Sequence, residues 1–231
     1  RIVAKSLPSI PLLKFIAQAS GSQRFMLFNE RFLAQLSHDI PNADVLLGKP
    51  LPVNAARYFY QHGNHASFQS SKQLQWLLDT PARLIQYQKL ARQTGQAMRI
   101  NIELDVGLHR GGVADDNNLI SMLKIIRADP LLSFSGFMGY EPHVVKLPGN
   151  ADTHLHEALN IYRQRVQTAE SFLGAPLPAS MTLNTAGSPS YPLHALSRIK
   201  THSPCNELSA GSCLVKPLDY DIDTLSDHHA A

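Results

Sequence analysis

Eight short apolar runs, most of them followed by a stretch in which apolar residues return at helical spacing, divide this chain from its first residues to Leu208. That alternation constrains the fold more than any single residue does. The runs are Arg1 to Ala4, Phe25 to Phe28, Ala43 to Gly48, Leu74 to Leu78, Met98 to Val106, Leu131 to Tyr140 and Met181 to Ala186. Asn206 to Leu208, with Leu214-Val215, makes the eighth region. Continuous apolar runs such as Phe25-Met26-Leu27-Phe28 are what strands covered on both faces require. After Pro8, Leu12, Leu13, Ile16 and Ala19 recur at helical spacing until Gly21 stops the pattern. Further helices are expected over Val53 to Tyr60, from Pro81 through Ala91 to Gly95, and near 117–128 and 153–173. The piece from Gln61 to Ser71 fits neither pattern. Strands alternating with helices imply a parallel sheet, and eight units imply its closure: the fold class is α/β, a TIM-like (β/α)8 barrel.

Length and charge agree with one such domain. The 231 residues are 44% hydrophobic and 17% charged, enough for one large core, against about 250 residues for a usual barrel of this kind. Residues 1–216 are expected to form the barrel and 217–231 to lead out of it toward a further domain. The 21 Lys and Arg exceed the 18 Asp and Glu by three, spread without basic clusters, so no nucleic acid partner is expected. Cys205 and Cys213 lie eight apart, without metal-type spacing, and read as free thiols of a reducing, cytoplasmic compartment. No apolar run reaches the roughly 18 residues of a membrane span, and no signal-peptide pattern opens the chain. The chain starts at Arg1 rather than Met, from which a preceding segment is expected.

In a parallel barrel the chemistry sits where strands end. The first strand ends at Lys5, a candidate Schiff-base amine, opposed by the bland reading of a surface lysine. The fifth runs from Glu103 and Asp105 into Gly107 and presents Arg110, a permanent cation suited to a phenolate or carboxylate oxygen, or to a structural ion pair. The sixth ends in Gly139-Tyr140-Glu141-Pro142-His143, with an aromatic ring and an imidazole at its exit. The seventh runs through Thr185, Gly187 and Ser188 into a helix, as a phosphate cradle requires, although a plain Ser/Gly/Pro turn has the same composition. The eighth adds Gly211 and Ser212.

Taken in order, these pieces resemble the fold-type III pyridoxal phosphate enzymes, the group of the alanine racemase N-terminal barrel. The most specific are Asp105-Val106-Gly107 with Arg110, Gly139-Tyr140 with His143, and Asn206-Glu207-Leu208 with Gly211. Within the group the chain is most similar to the D-threonine aldolase and D-serine dehydratase branch, and the resemblance spans essentially its whole length. It implies pyridoxal 5'-phosphate as cofactor, with Lys5 as its Schiff-base lysine and Arg110 beside its phenolic oxygen. Tyr140 would flank the ring, His143 would face the cofactor, and Thr185, Gly187, Ser188, Gly211 and Ser212 would hold the phosphate. Lys5, Arg110 and Tyr140 are the expected catalytic residues.

Two departures matter. Alanine racemases carry a tyrosine four residues after the lysine, where this chain has Ser9, and an arginine against the pyridine nitrogen, where it has Ser209. The expected activity is therefore a lyase reaction on a D-amino acid, dehydration or aldol cleavage, ahead of racemisation; a cofactor-carrying barrel without turnover is the competing class. The resemblance also implies a homodimer and a C-terminal β-domain, absent from this sequence, that supplies the ligands of a divalent metal. No metal site is expected within these residues. His228 and His229 are adjacent and point apart, and His154 and His156 read as solvated.

Overall fold

A computed structural model describes residues 1–196 and 203–215. The part of the sequence expected to lead into a further domain, with His228 and His229, lies outside the described residues. Eight strands form one sheet: β1 (Ile2–Val3), β2 (Arg24–Leu27), β3 (Asp44–Leu47), β4 (Leu74–Leu78), β5 (Met98–Leu104), β6 (Leu132–Gly139), β7 (Thr182–Thr185) and β8 (Glu207–Leu208). Each strand pairs in parallel with the next along the chain. A parallel bridge between Ile2 and Ala210 closes the ring, with Val3 N–H donating to the Ala210 carbonyl at 2.8 Å and Ala210 N–H to that of Arg1 at 3.1 Å. The expected (β/α)8 barrel is the observed fold.

The outer layer consists of α1 (Ile10–Ser20), α2 (Glu30–Asp39), α3 (Val53–Tyr58), α4 (Ser70–Gln73), α5 (Pro81–Thr94), α6 (Asp116–Arg127), α7 (Ala151–Leu173) and α8 (Tyr191–Leu196). Side-chain oxygens of Asn29, Thr80, Asp115 and Asn150 cap the N-termini of α2, α5, α6 and α7. Three details differ from expectation. The buried face of α1 is Ile10, Leu13 and Ala17, spaced three and four residues apart, which leaves Leu12 and Ala19 exposed. Leu214-Val215 belongs to a 3-10 turn, Ser212–Val215, and not to the eighth strand. The unassigned piece after Tyr60 completes a π-helical turn, Phe59–Gly63, and then folds the buried Phe68 under α4.

Strands β2, β3 and β4 are buried along nearly their whole length, which explains their apolar runs Phe25–Leu27, Val45–Leu47 and Trp76–Leu78. The lumen is different, because polar side chains bond there both across the barrel and between neighbouring strands. Gln75 on β4 donates to Thr182 on β7 (2.9 Å) and accepts from Asn101 on β5 (3.2 Å). At the N-terminal end, the Arg1 guanidinium pairs with Glu207 at 2.6 Å and with Asp44 at 2.7 Å, and Asn184 donates to Glu207 at 2.8 Å. This buried network fills the lower half of the barrel and leaves the C-terminal end as the open face.

Candidate active site

A cavity of about 190 Å³ opens at the C-terminal end of the barrel. Of the expected residues, Lys5, Arg110, Tyr140, Gly187, Ser188 and Ser212 line it together. Lys5 stands just past β1, with its Nζ 5.4 Å from the centre of the Phe28 ring.

Arg110 reaches the cavity on a loop that Asp105 builds. The Asp105 carboxylate accepts from the backbone N–H groups of Gly107 (3.1 Å) and His109 (2.9 Å), and its second oxygen meets His109 Nδ1 at 2.8 Å. Burial opposes the charge on Asp105, but these bonds outweigh it and hold the carboxyl below the ordinary aspartate range. The turn needs φ of 107° at Gly107 and 54° at His109, and Val113 then returns the chain to β5 by donating to the Glu103 carbonyl. Behind Arg110 lies the buried Glu103 carboxylate, 3.5 Å from the guanidinium. Burial raises the Glu103 pKa, and the Arg110 charge offsets part of that rise.

Tyr140 carries Arg110 over its ring, with Cζ 4.6 Å from the centroid. The other neighbour of the ring is Gly187. A Cβ at that position would overlap Cε2 of Tyr140 and lie 3.2 Å from Cδ2, so the ring and the turn after β7 interlock only because position 187 has no side chain. The turns after β7 and β8 are tied together by the Gly211 N–H, which donates to Ser188 Oγ at 3.0 Å.

Thr185, Gly211 and His143 are not among the residues that line the cavity. Thr185 is buried behind it and donates to Glu141 Oε2 at 2.7 Å. The His143 ring packs against Gly107, its Nδ1 is buried without a partner, and burial holds its pKa below the ordinary histidine value. The cavity also contains Lys49, two residues past the end of β3, which the sequence reading did not single out; a lysine just beyond a strand end was the available signal. Ser209 lines the wall as well and donates to Asn184 Oδ1 at 2.9 Å. Glu141 was also missed as a functional residue. It is fully buried and takes four hydrogen bonds.

Among the described residues no group of three or more His, Cys, Asp or Glu is arranged to hold a metal ion, and no helix is long and apolar enough to cross a membrane.

Comparison with known proteins places these features in context. The model of the family described as alanine racemase, N-terminal domain, matches residues 9–217, a stretch that begins after Lys5. No curated protein matches the chain. Solved structures with the same fold include the D-threonine aldolase from Filomicrobium marinum, with a TM-score of 0.72 and 16% identity over 92% of this chain and 53% of that one. D-threo-3-hydroxyaspartate dehydratase from Delftia sp. gives 0.70 and 18% over 91% and 52%, and the alanine racemase from Bacillus anthracis 0.72 and 16% over 95% and 52%. The chain thus spans about half the length of each of these structures.

Proposed function

Because the chain belongs to the alanine racemase N-terminal domain family, and with it to the fold-type III pyridoxal phosphate enzymes, we propose that its cavity holds pyridoxal 5'-phosphate and that the whole protein is a lyase acting on a D-amino acid, by dehydration or aldol cleavage. The observation that carries this reading is the cavity lining. Lys5, Lys49 and Arg110 share it with Gly187, Ser188 and Ser212, and among the described residues no carboxylate is part of the wall. Cations beside a glycine and hydroxyl turn suit a ligand that bears a phosphate, and an amine beside them suits an aldehyde.

Pyridoxal phosphate, when bound, draws electrons from the α-carbon of an attached amino acid. Lys5 would supply the amine that holds the aldehyde, and its free Nζ would serve as the base for the substrate proton. Taking that proton from the α-carbon with loss of a β-hydroxyl is dehydration. Taking it from the β-hydroxyl and breaking the Cα–Cβ bond is aldol cleavage. Arg110 would donate to the phenolic oxygen, with the Glu103 carboxylate behind it limiting its movement. Tyr140 would flank the ring, and Gly187, Ser188 and Ser212, backed by Thr185 and Gly211, would receive the phosphate. Ser209 favours a lyase over a racemase, because this chain has a neutral hydroxyl where alanine racemases carry an arginine. A homodimeric whole protein, with its divalent metal held by a further domain, belongs to the same proposal.

The test is an absorption spectrum of the protein with added pyridoxal phosphate, for the wild type and Lys5→Ala, followed by D-serine and D-threonine. A visible band that needs Lys5 and changes with a D-amino acid supports the enzyme. A Lys5-dependent band indifferent to both amino acids favours the carrier, and no band in the wild type refutes the cofactor.

A further inference from the structure

Glu141 lies two residues past the end of β6, is buried completely, and has no task in the chemistry just described. Its two oxygens are nonetheless fully engaged. Oε2 accepts from Thr185 Oγ1 at 2.7 Å and from the Ala186 N–H at 3.2 Å; Oε1 accepts from Ser190 Oγ at 2.9 Å and meets His194 Nε2 at 3.1 Å. All four partners belong to one stretch of chain, the turn after β7 and the start of α8.

We propose that Glu141 is a positioning residue for the phosphate of the ligand: it holds the turn from Thr185 to Ser190 in its receiving shape without touching the ligand itself. The inference rests on the cofactor reading above and adds to it the residue on which recognition of the phosphate, as distinct from the aldehyde, depends.

Three observations lead to this assignment. Ala186 has φ of 67°, a left-handed conformation that a residue with a Cβ keeps only where its surroundings impose it, and the Ala186 N–H is anchored to Glu141. Ser190 carries the constraint to the next residue, since its Oγ donates to Glu141 and accepts from the Gly187 N–H at 3.2 Å. From there it reaches the second turn, where Ser188 Oγ accepts from the Gly211 N–H at 3.0 Å. One carboxylate therefore sets Ala186 directly and Gly187 through a single hydroxyl. A carboxylate suits this task because it accepts on both oxygens, whereas an amide in its place would turn an N–H2 group toward one pair of donors. Its charge would by itself disfavour an anion bound to the neighbouring turn. Keeping a buried anion there is consistent with a geometric role and not with an electrostatic one.

The experiment compares pyridoxal phosphate with pyridoxal, which has the same ring and aldehyde but no phosphate, through the Lys5-dependent visible band of the wild type, Glu141→Gln and Ser190→Ala. Circular dichroism confirms that each variant is folded. In Glu141→Gln the affinity for pyridoxal phosphate is expected to fall about tenfold to a hundredfold, the scale of losing hydrogen bonds to a charged group, while pyridoxal binds as in the wild type. Ser190→Ala, which cuts only the relay to Gly187, is expected to move the same ratio in the same direction and serves alone if Glu141→Gln fails to fold. Equal losses for both compounds, or no loss for pyridoxal phosphate, would overturn the assignment. A wild type that forms no band with either compound refutes the cofactor reading instead, so the two failures are distinguishable.

Discussion

Gly187→Ala is the substitution whose cost can be worked most directly from the structure. The added methyl would overlap Cε2 of Tyr140 and lie 3.2 and 3.4 Å from Cδ2 and Cζ, where carbon pairs prefer roughly 3.5 to 4.0 Å. The turn cannot easily retreat, because the Gly187 carbonyl accepts from Ser190 N–H at 3.0 Å and Tyr191 N–H at 2.9 Å while its own N–H is held by Ser190 Oγ. The ring must move instead, and with it the stacking of Arg110 at 4.6 Å. Overpacking costs about 1 to 3 kcal/mol and the lost cation–π contact about 0.5 to 1 kcal/mol, so a loss of about 1.5 to 4 kcal/mol is expected. At about 2 to 4 °C per kcal/mol for a chain of this size, Tm should fall by roughly 3 to 16 °C. Urea unfolding followed through Trp76, the one tryptophan and a buried one, reads the free energy. The control is Gly187→Ala in a Tyr140→Ala background, where the overlapping ring is gone and the cost should shrink to near zero. If Gly187→Ala costs the same in both backgrounds, the interlock is not the cause and the reasoning fails.

Other expectations concern the frame around the site. In Gly136→Ala, a Cβ would overlap the Thr182 carbonyl oxygen at a φ of 131°, between paired strands that cannot separate, and a loss of about 3 kcal/mol or more in urea unfolding is expected; wild-type stability would contradict the β6–β7 register. Arg1→Met leaves the buried Glu207 without its nearest cation and should cost about 3 to 5 kcal/mol, whereas a cost under about 1 kcal/mol would mean that Arg24, at 3.0 Å, suffices alone. Burial opposes the charge of Glu141, but the bonds from His194, Thr185 and Ser190 prevail and hold its pKa below the ordinary value of 4.5. A depressed folded pKa contributes stability that is complete above 4.5 and lost as the pH falls through the folded value. The stability gap between wild type and Glu141→Gln should therefore narrow on acidification below 4.5, and a gap that widens there would reverse the assigned sign.

What the sequence made legible followed from burial on both faces. Val45, Leu46 and Leu47, or Trp76, Leu77 and Leu78, are apolar without alternation because helices cover one side and the lumen the other, and such runs cannot be mistaken for half-solvated strands. Helix α2 was passed over although Asn29 caps it and Leu33 and Leu36 share its buried face, since the helical signal is only three turns long. In the site, Lys5, Arg110 and Ser188 could be found because each lies in the segment that leaves the C-terminal end of a strand and is of a residue type suited to the ligand chemistry. Glu141 could not, although it sits in the same short segment as Tyr140 and His143. Its meaning lies in Thr185, Ser190 and His194, 44 to 53 positions further on, and no local pattern records a partnership over that distance. The polar lumen was hidden for the same reason, since Gln75 and Thr182 are 107 positions apart.

The ring of strands is not equally strong all the way round. β5 and β6 share seven register pairs, while β1 and β8 have two residues each and meet through a single bridge, from Ile2 to Ala210. Lys5 stands on one side of this seam, and the Ser188 and Ser212 turns stand on the other. A ligand gripped at once by the lysine and by those turns would act as a clasp on the hoop, fastening it where it is thinnest. Loading the site should then protect the amides of Val3 and Ala210 from hydrogen exchange more than those of β5, so that ligand binding and the mechanical closure of the barrel depend on the same few contacts.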